Sequence, residues 1–128
     1  MTIRYSTVGI VGTGAMGRGI AQIAAQAGST VQLFDLNPEA CRQAHAAITA
    51  QWDKLQDKGR IDAATADAYK TRLQTAASLG DLHNCDLVVE AAVERLDIKQ
   101  SLFAQLEDIV RPDAVLVTNT SSLSVTAI

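Results

Sequence analysis

Thr7-Val8-Gly9-Ile10-Val11-Gly12-Thr13-Gly14-Ala15-Met16-Gly17-Arg18-Gly19-Ile20-Ala21 is the stretch that decides the fold. Its opening is apolar and rich in Val and Ile, as a buried strand is, and it runs straight into Gly12-x-Gly14-x-x-Gly17. Ile20, Ile23, Ala24 and Ala27 then recur at helical spacing. Gly12 makes the tight turn from strand to helix. Gly14 lets backbone come close to a ligand, and Gly17 lets the helix lie against the strand. Free N–H groups at the helix start, helped by a dipole worth roughly half a charge, face outward at a height where a pyrophosphate fits.

Working outward, Val31-Gln32-Leu33-Phe34-Asp35 reads as a second strand that ends in a carboxylate. Asp35 stands at about the twenty-residue offset of the acid that binds an adenosine ribose. A carboxylate there accepts from both ribose hydroxyls and repels a 2′-phosphate. No Arg immediately follows it, so the expected preference is NAD over NADP. The order of strand, glycines, helix, second strand and acid outweighs the alternative of a turn that serves packing only.

The chain has 128 residues, 48% hydrophobic and 4% aromatic, enough for one domain of helices packed on a sheet. A net charge of −3 argues against general nucleic-acid or acidic-membrane binding. No apolar run reaches the roughly twenty residues of a membrane span, and the early strand leaves no room for a signal peptide. Cys41 and Cys85 have neither metal-ligand spacing nor a disulfide framework, so reduced, buried thiols and a cytoplasmic setting are expected.

The first helix is expected from about Ala15 to Ala27, closed by Gly28. Asn37-Pro38 starts a second, with Cys41, Ala44, Ile48, Trp52 and Leu55 on its buried face. Lys58 to Asp62 breaks it, and Asp62 caps a third helix carrying Ala66, Tyr69 and Leu73. This pair is a helical hairpin where an ordinary crossover uses one helix. It serves either as a structural flap or as a wall of a substrate site. Ala76 to Leu79 is expected to be a short strand, and Asp86 to Ala91 a strand covered on both faces. Asp97 to Gln100 resembles a capping box opening a helix whose buried face is Leu102, Phe103, Leu106, Ile109 and Val110. Ala114 to Thr118 is a further strand, and a last helix begins near Ser124. The alternation gives an α/β fold, a Rossmann-type doubly wound parallel sheet with an inserted helical hairpin, spanning residues 1–128 as one NAD-binding domain.

Ligands of such sheets sit beyond the carboxyl ends of the strands. The polar residues expected there are Asp35, Glu90, Glu94, Lys99, Asn119, Ser121 and Ser122. The two glutamates fit a helix N-terminal turn as well as a contact to nicotinamide ribose or substrate. The two serines fit a helix cap as well as a substrate contact, and no G-x-S-x-G elbow surrounds them. His45 and His83 lie away from strand carboxyl ends and read as surface residues rather than as a general base.

Gly12 to Gln22, Asp86 to Glu94 and Asn119-Thr-Ser-Ser122 together resemble the NAD-binding domain of the 3-hydroxyacyl-CoA dehydrogenases. The likeness includes the hairpin and covers essentially the whole chain. It implies that Gly12, Gly14 and Gly17, with Ala15 and Met16 between them, hold the pyrophosphate and that Asp35 holds the ribose. It implies that Glu94 and Lys99 lie along the cofactor toward the nicotinamide, with Asn119 nearby. Ser121 is implied as the catalytic residue that contacts the substrate's 3-oxygen, and Lys58 as a contact to the CoA moiety. A second CoA-contacting serine of the family aligns with Gln51. No metal is implied. The family's base is a histidine in a Gly-x-His-Phe-x-Asn-Pro segment, paired with a later glutamate. The sequence ends before either, and before the helical domain that forms the family's homodimer. The chain, as the cofactor half of a longer enzyme acting on an acyl-CoA substrate, is therefore expected to bind NAD but to turn over little or nothing.

Two other readings share these motifs. One is the NAD-binding domain of a 2- or 3-hydroxyacid dehydrogenase, which needs neither the hairpin nor the Asn119-Thr-Ser-Ser122 step. The other is a non-catalytic dinucleotide sensor, which needs an output domain.

Overall fold

Val8 to Val11 of β1 (Thr7–Val11) are buried on both sides, and this strand forms the middle of a five-stranded parallel sheet. The computed structural model describes residues 6–91 and 96–118, with backbone alone for 96, 98, 99 and 118. The strand order is β3-β2-β1-β4-β5, where β2 is Thr30–Phe34, β3 Leu73–Thr75, β4 Leu87–Glu90 and β5 Val115–Thr118. Ile10 sits opposite Leu33 on one side and Val89 on the other, which fixes the register of the apolar centre. Chain order runs away from β1 in both directions. Right-handed crossovers therefore put the connecting helices on opposite faces.

One face carries α1 (Ala15–Ala27) and the hairpin of α2 (Pro38–Asp57) and α3 (Ala63–Arg72). Its core joins Val8, Ile10, Val31 and Leu33 to Ala21, Ala25, Ile48 and Trp52. The other face carries α4 (Leu96–Ile109) and a 3-10 turn over Leu79–Asn84. There Val11, Val88, Leu82 and Cys85 meet Leu102, Leu106 and Val110.

The hairpin follows local chemistry closely. The Asn37 side chain accepts from Glu39 N at 3.0 Å and Pro38 occupies the first helical position. Asp62 accepts from Thr65 N at 2.7 Å to start α3. The hairpin is clasped to α1 by two hydrogen bonds and closed on itself by one ring contact. Trp52, fully buried, donates its indole N–H to Gln26 Oε1 at 2.9 Å. Tyr69 packs on the Trp52 ring at 5.5 Å between centroids, and Arg72 donates to the Ala25 carbonyl at 2.9 Å.

At the amino ends of the strands, Asp86 ties three elements. It accepts from Thr7 N at 3.0 Å and pairs with Arg111, while its own carbonyl accepts from Val115 N at 2.9 Å. The Thr7 amide first, and Arg111 after it, hold the Asp86 carboxyl below the usual range.

Three sequence expectations are corrected. The third strand is Leu73–Thr75, not 76–79, because Leu73 leaves the helix to pair with Val31. The residues after it turn away as the 3-10 segment, begun by a capping box between Ser78 and Asp81. The buried face of α1 is Gly17, Ala21 and Ala25; of the expected face, Ile20 and Ala24 pack partly buried against the core, while Ala27 is exposed and Ile23 is 68% exposed. Small side chains allow the close approach to β1 that a row of isoleucines would prevent. Asp97 lies inside the first turn of α4 rather than ahead of it. The helix expected near Ser124 lies outside the described residues.

Candidate dinucleotide site

The carboxyl ends of β1 and β2 are joined by one hydrogen bond, from Gly12 N to the Phe34 carbonyl at 2.8 Å. Gly12 itself has φ of 105°, a left-handed conformation open to glycine, and it turns the chain from β1 toward α1. Gly17 answers to packing. A Cβ on it would stand 2.0 Å from the Gly12 carbonyl oxygen. Gly14 answers to neither. Its φ is −69° and a Cβ there would meet nothing within 4 Å. The chain alone gives no reason for glycine at 14; a ligand lying on that backbone does.

The ground around Gly14 suits an anion. It is the N-cap of α1, no side chain caps the helix, and the first turn carries no acidic residue. Ala15 and Met16 form the exposed first turn, with Met16 57% exposed. Arg18, one turn in, donates from Nε to the Thr13 carbonyl at 3.0 Å. A cation is thereby held against the glycine turn.

Asp35 follows β2 directly and is half-buried. Its Oδ2 accepts from Thr13 N at 2.9 Å and from Thr13 Oγ1 at 2.8 Å. Its Oδ1 accepts from Asn37 N at 2.8 Å. The carboxylate also lines a cavity of about 310 Å³ with Pro38, Cys41, Arg42, Thr75, Ala76 and Ala77. The lining offers what an adenosine would need: a carboxylate for a ribose, and Pro38, Ala76 and Ala77 as apolar surface for a base. These features satisfy the requirements of NAD on residues present in the chain.

Sequence reasoning missed three of these residues. Thr13 is the unnamed position between two glycines, and nothing in the spacing gives its hydroxyl a partner. Arg42 is absent from the positions immediately after Asp35, yet α2 brings it back into the same cavity, ion-paired with Glu39. Its offset on α2, one turn beyond Pro38, was the available signal. Cys41 is 4% exposed and donates to the Leu33 carbonyl at 3.3 Å. Burial and then nearby Asp35 push its thiol up.

The other expected residues are distributed as follows. Glu90 is the last residue of β4 and fully buried, level with Val11 and Thr118, so it belongs to the strand and not to a helical turn. Lys58 is the exposed C-cap of α2. The length of that 20-residue helix, about 30 Å, separates it from Asp35. Gln51 is exposed on the same helix. Glu94, Asn119, Ser121 and Ser122 lie outside the described residues, as does the side chain of Lys99. His45 Nε2 sits 3.2 Å from the Leu73 carbonyl, at the amino end of β3, and His83 Nδ1 sits 3.1 Å from the Gly80 carbonyl. Neither reaches the glycine turn. Both cysteines are free and buried. Among the described residues no cluster of His, Cys, Asp or Glu could hold a metal ion.

Sheet order, glycine turn and acid define a dinucleotide-binding domain of the Rossmann class. Comparison with known proteins narrows this. Residues 7–128 match the family model described as 3-hydroxyacyl-CoA dehydrogenase, NAD binding domain, and the chain belongs to that family. NAD is its cofactor. The chain is 42% identical over 128 residues to 3-hydroxyadipyl-CoA dehydrogenase of Escherichia coli K12, covering all of this chain and 27% of that protein. It is 42% identical over 123 residues to a probable 3-hydroxybutyryl-CoA dehydrogenase of Deinococcus radiodurans, covering 94% of this chain and 43% of the relative. A crystal structure of 3-hydroxybutyryl-CoA dehydrogenase from Escherichia coli K12 superposes with a TM-score of 0.92 at 41% identity, over 98% of this chain and 26% of the other. The chain thus spans between about a quarter and under half of these relatives.

Proposed function

We propose that this chain is the cofactor-holding part of an enzyme that oxidises L-3-hydroxyacyl-CoA to 3-oxoacyl-CoA. NAD, when bound, supplies the nicotinamide carbon that takes the hydride. Every other task falls to side chains and backbone. The turn at Gly12, Gly14, Ala15, Met16 and Gly17 holds the pyrophosphate on backbone N–H groups, and Asp35 holds the adenosine ribose. Glu94, Lys99 and Asn119 continue the cofactor site toward the nicotinamide. Ser121 donates to the substrate's 3-oxygen, and Lys58 offers a point charge to a CoA phosphate. The observation that carries the reading is Gly14, a glycine that the chain's own packing does not require.

The relatives named for CoA-ester dehydrogenation support the substrate class. So does the long hairpin, which a dehydrogenase of small free hydroxyacids has no evident use for. The proposed setting is the cytoplasm and the chemistry that of fatty-acid β-oxidation, with the longer protein a homodimer. Among the described residues no helix is long and apolar enough to cross a membrane. A thermal-shift experiment tests the substrate class. With NADH present, acetoacetyl-CoA should raise the melting temperature further, and acetoacetate should not. Equal effects of the two would remove the CoA assignment, and Lys58→Ala should abolish the difference.

A further inference from the structure

Thr13 and Arg42 raise a question that Asp35 alone does not answer. The cavity beside Asp35 already holds a guanidinium, that of Arg42, exposed and with Glu39 as its ion-pair partner. A 2′-phosphate entering the cavity would find a cation within reach of a side-chain rotation. If the Asp35 carboxylate could swing aside, NADP would be accepted here. Thr13 donates two hydrogen bonds to that carboxylate.

We propose that Thr13 is the positioning residue that sets NAD over NADP, by locking Asp35 against the glycine turn so that Arg42 cannot turn the cavity into a 2′-phosphate site. The proposal rests on reading this cavity as the adenosine seat. A carboxylate offers about four lone pairs. Thr13 takes both of those on Oδ2, through N at 2.9 Å and Oγ1 at 2.8 Å, and Asn37 N takes one on Oδ1 at 2.8 Å. One place remains, on Oδ1, for a donor. A ribose hydroxyl has a proton to give it, whereas a phosphate has only negative charge to bring. Rotating Asp35 away would break all three bonds.

The lock is itself held. Thr13 is 2% exposed, its carbonyl accepts from Arg18 Nε at 3.0 Å, and its neighbour Gly12 is tied to the end of β2. This refines the simple expectation of two ribose hydroxyls on one free carboxylate: a single oxygen is left to receive the sugar.

The test is equilibrium titration of this chain with NADH and NADPH, read by ligand fluorescence, alongside thermal unfolding. Thr13→Val removes the hydroxyl at constant volume. NADH binding should weaken roughly tenfold, the size of losing one hydrogen bond to a charged group. NADPH binding should hold or tighten, so that the preference falls about tenfold or more. Thr13→Ser should restore it to within about threefold. In the Thr13→Val background, adding Arg42→Ala should lower NADPH binding more than NADH binding. A merely structural Thr13 would lower the melting temperature and leave the ratio alone, which overturns the proposal. If Thr13→Val does not fold, Thr13→Ala gives the same comparison. Should both fail to fold, Arg42→Ala in the unmodified chain decides: NADPH affinity should stay within about threefold because the lock keeps Arg42 from the phosphate, and a fall of about tenfold or more overturns the proposal. A chain that binds neither nucleotide at all would instead refute the adenosine-seat reading beneath it.

Discussion

Gly14→Ala and Gly17→Ala should separate binding from stability in neighbouring positions of one turn. At 17 the added carbon would meet the Gly12 carbonyl oxygen at 2.0 Å, where contacts under 3.0 Å essentially never occur, and the obstacle is backbone. Overpacking of this kind costs about 3 kcal/mol at the upper end of its usual range. Replacing glycine by alanine inside a helix returns about 1 kcal/mol. The net loss of about 2 kcal/mol lowers the melting temperature by roughly 6–10 °C in a domain of this size. At 14 the backbone lies at φ −69° and ψ −173°, open to alanine, and a Cβ has empty space around it. A poorer N-cap costs under about 1 kcal/mol, and the stiffer unfolded chain returns a similar amount. Melting should move by less than about 3 °C. Binding should not survive as well, because the methyl holds the pyrophosphate off the helix N-terminus. Two charge-assisted hydrogen bonds lost at about 1.5–3 kcal/mol each amount to more than a hundredfold. Circular-dichroism melts and calorimetric titration with NADH provide the two readings. Gly14→Ala protein that melts like Gly17→Ala, or that binds NADH within threefold of the parent, would refute the reasoning.

Three further outcomes follow from other parts of the structure. Gly19 is exposed in the interior of α1 and a Cβ there meets nothing within 4 Å, so Gly19→Ala should raise the melting temperature by about 3–5 °C. Asp86 has its folded pKa depressed, so its contribution is complete above the unfolded value near 3.9 and is lost as pH falls through the folded one. Urea midpoints measured from about pH 5 downward should fall less steeply in Asp86→Asn than in the parent. Burial and then Asp86 push the Cys85 thiol up to about 11, so an aromatic disulfide reagent at pH 8 should leave it untouched until the chain unfolds.

How far the sequence could be read depended on the range of the cause. Caps and turns are local, and Asn37, Asp62, Gly28 and the glycine turn stand where composition placed them. The third strand was misplaced because Leu73 continues a helical spacing with Ala66 and Tyr69. Only pairing with Val31, 42 residues earlier, makes it a strand. Periodicity misjudged α1 for a related reason: it favours large apolar residues, whereas the space over β1 admits only Gly17, Ala21 and Ala25. In the site, the glycine turn and the place of Asp35 at the end of β2 were legible because the order of strand, turn, helix and strand imposes their spacing. Thr13 and Arg42 were not, since their roles depend on where the end of β2 stands relative to two different helices.

The parallel sheet divides its two ends between different tasks. At the amino ends, Asp86 meets Thr7 and Arg111, and Thr30 N donates to the Ser6 carbonyl at 2.8 Å, so polar groups there are spent on each other. At the carboxyl ends, backbone N–H groups of α1 have no side-chain cap, and Asp35 keeps one lone pair in hand. A parallel sheet imposes this asymmetry, because each strand enters from one end and every helix that leaves it starts at the other. Loosening the amino end should therefore cost stability while NADH affinity at low temperature persists, and altering Gly14 should do the reverse. Asp86→Asn and Gly14→Ala, measured side by side in both assays, form the cross. If each variant lost stability and affinity together, the two ends would be coupled through the sheet and this division of labour would be wrong.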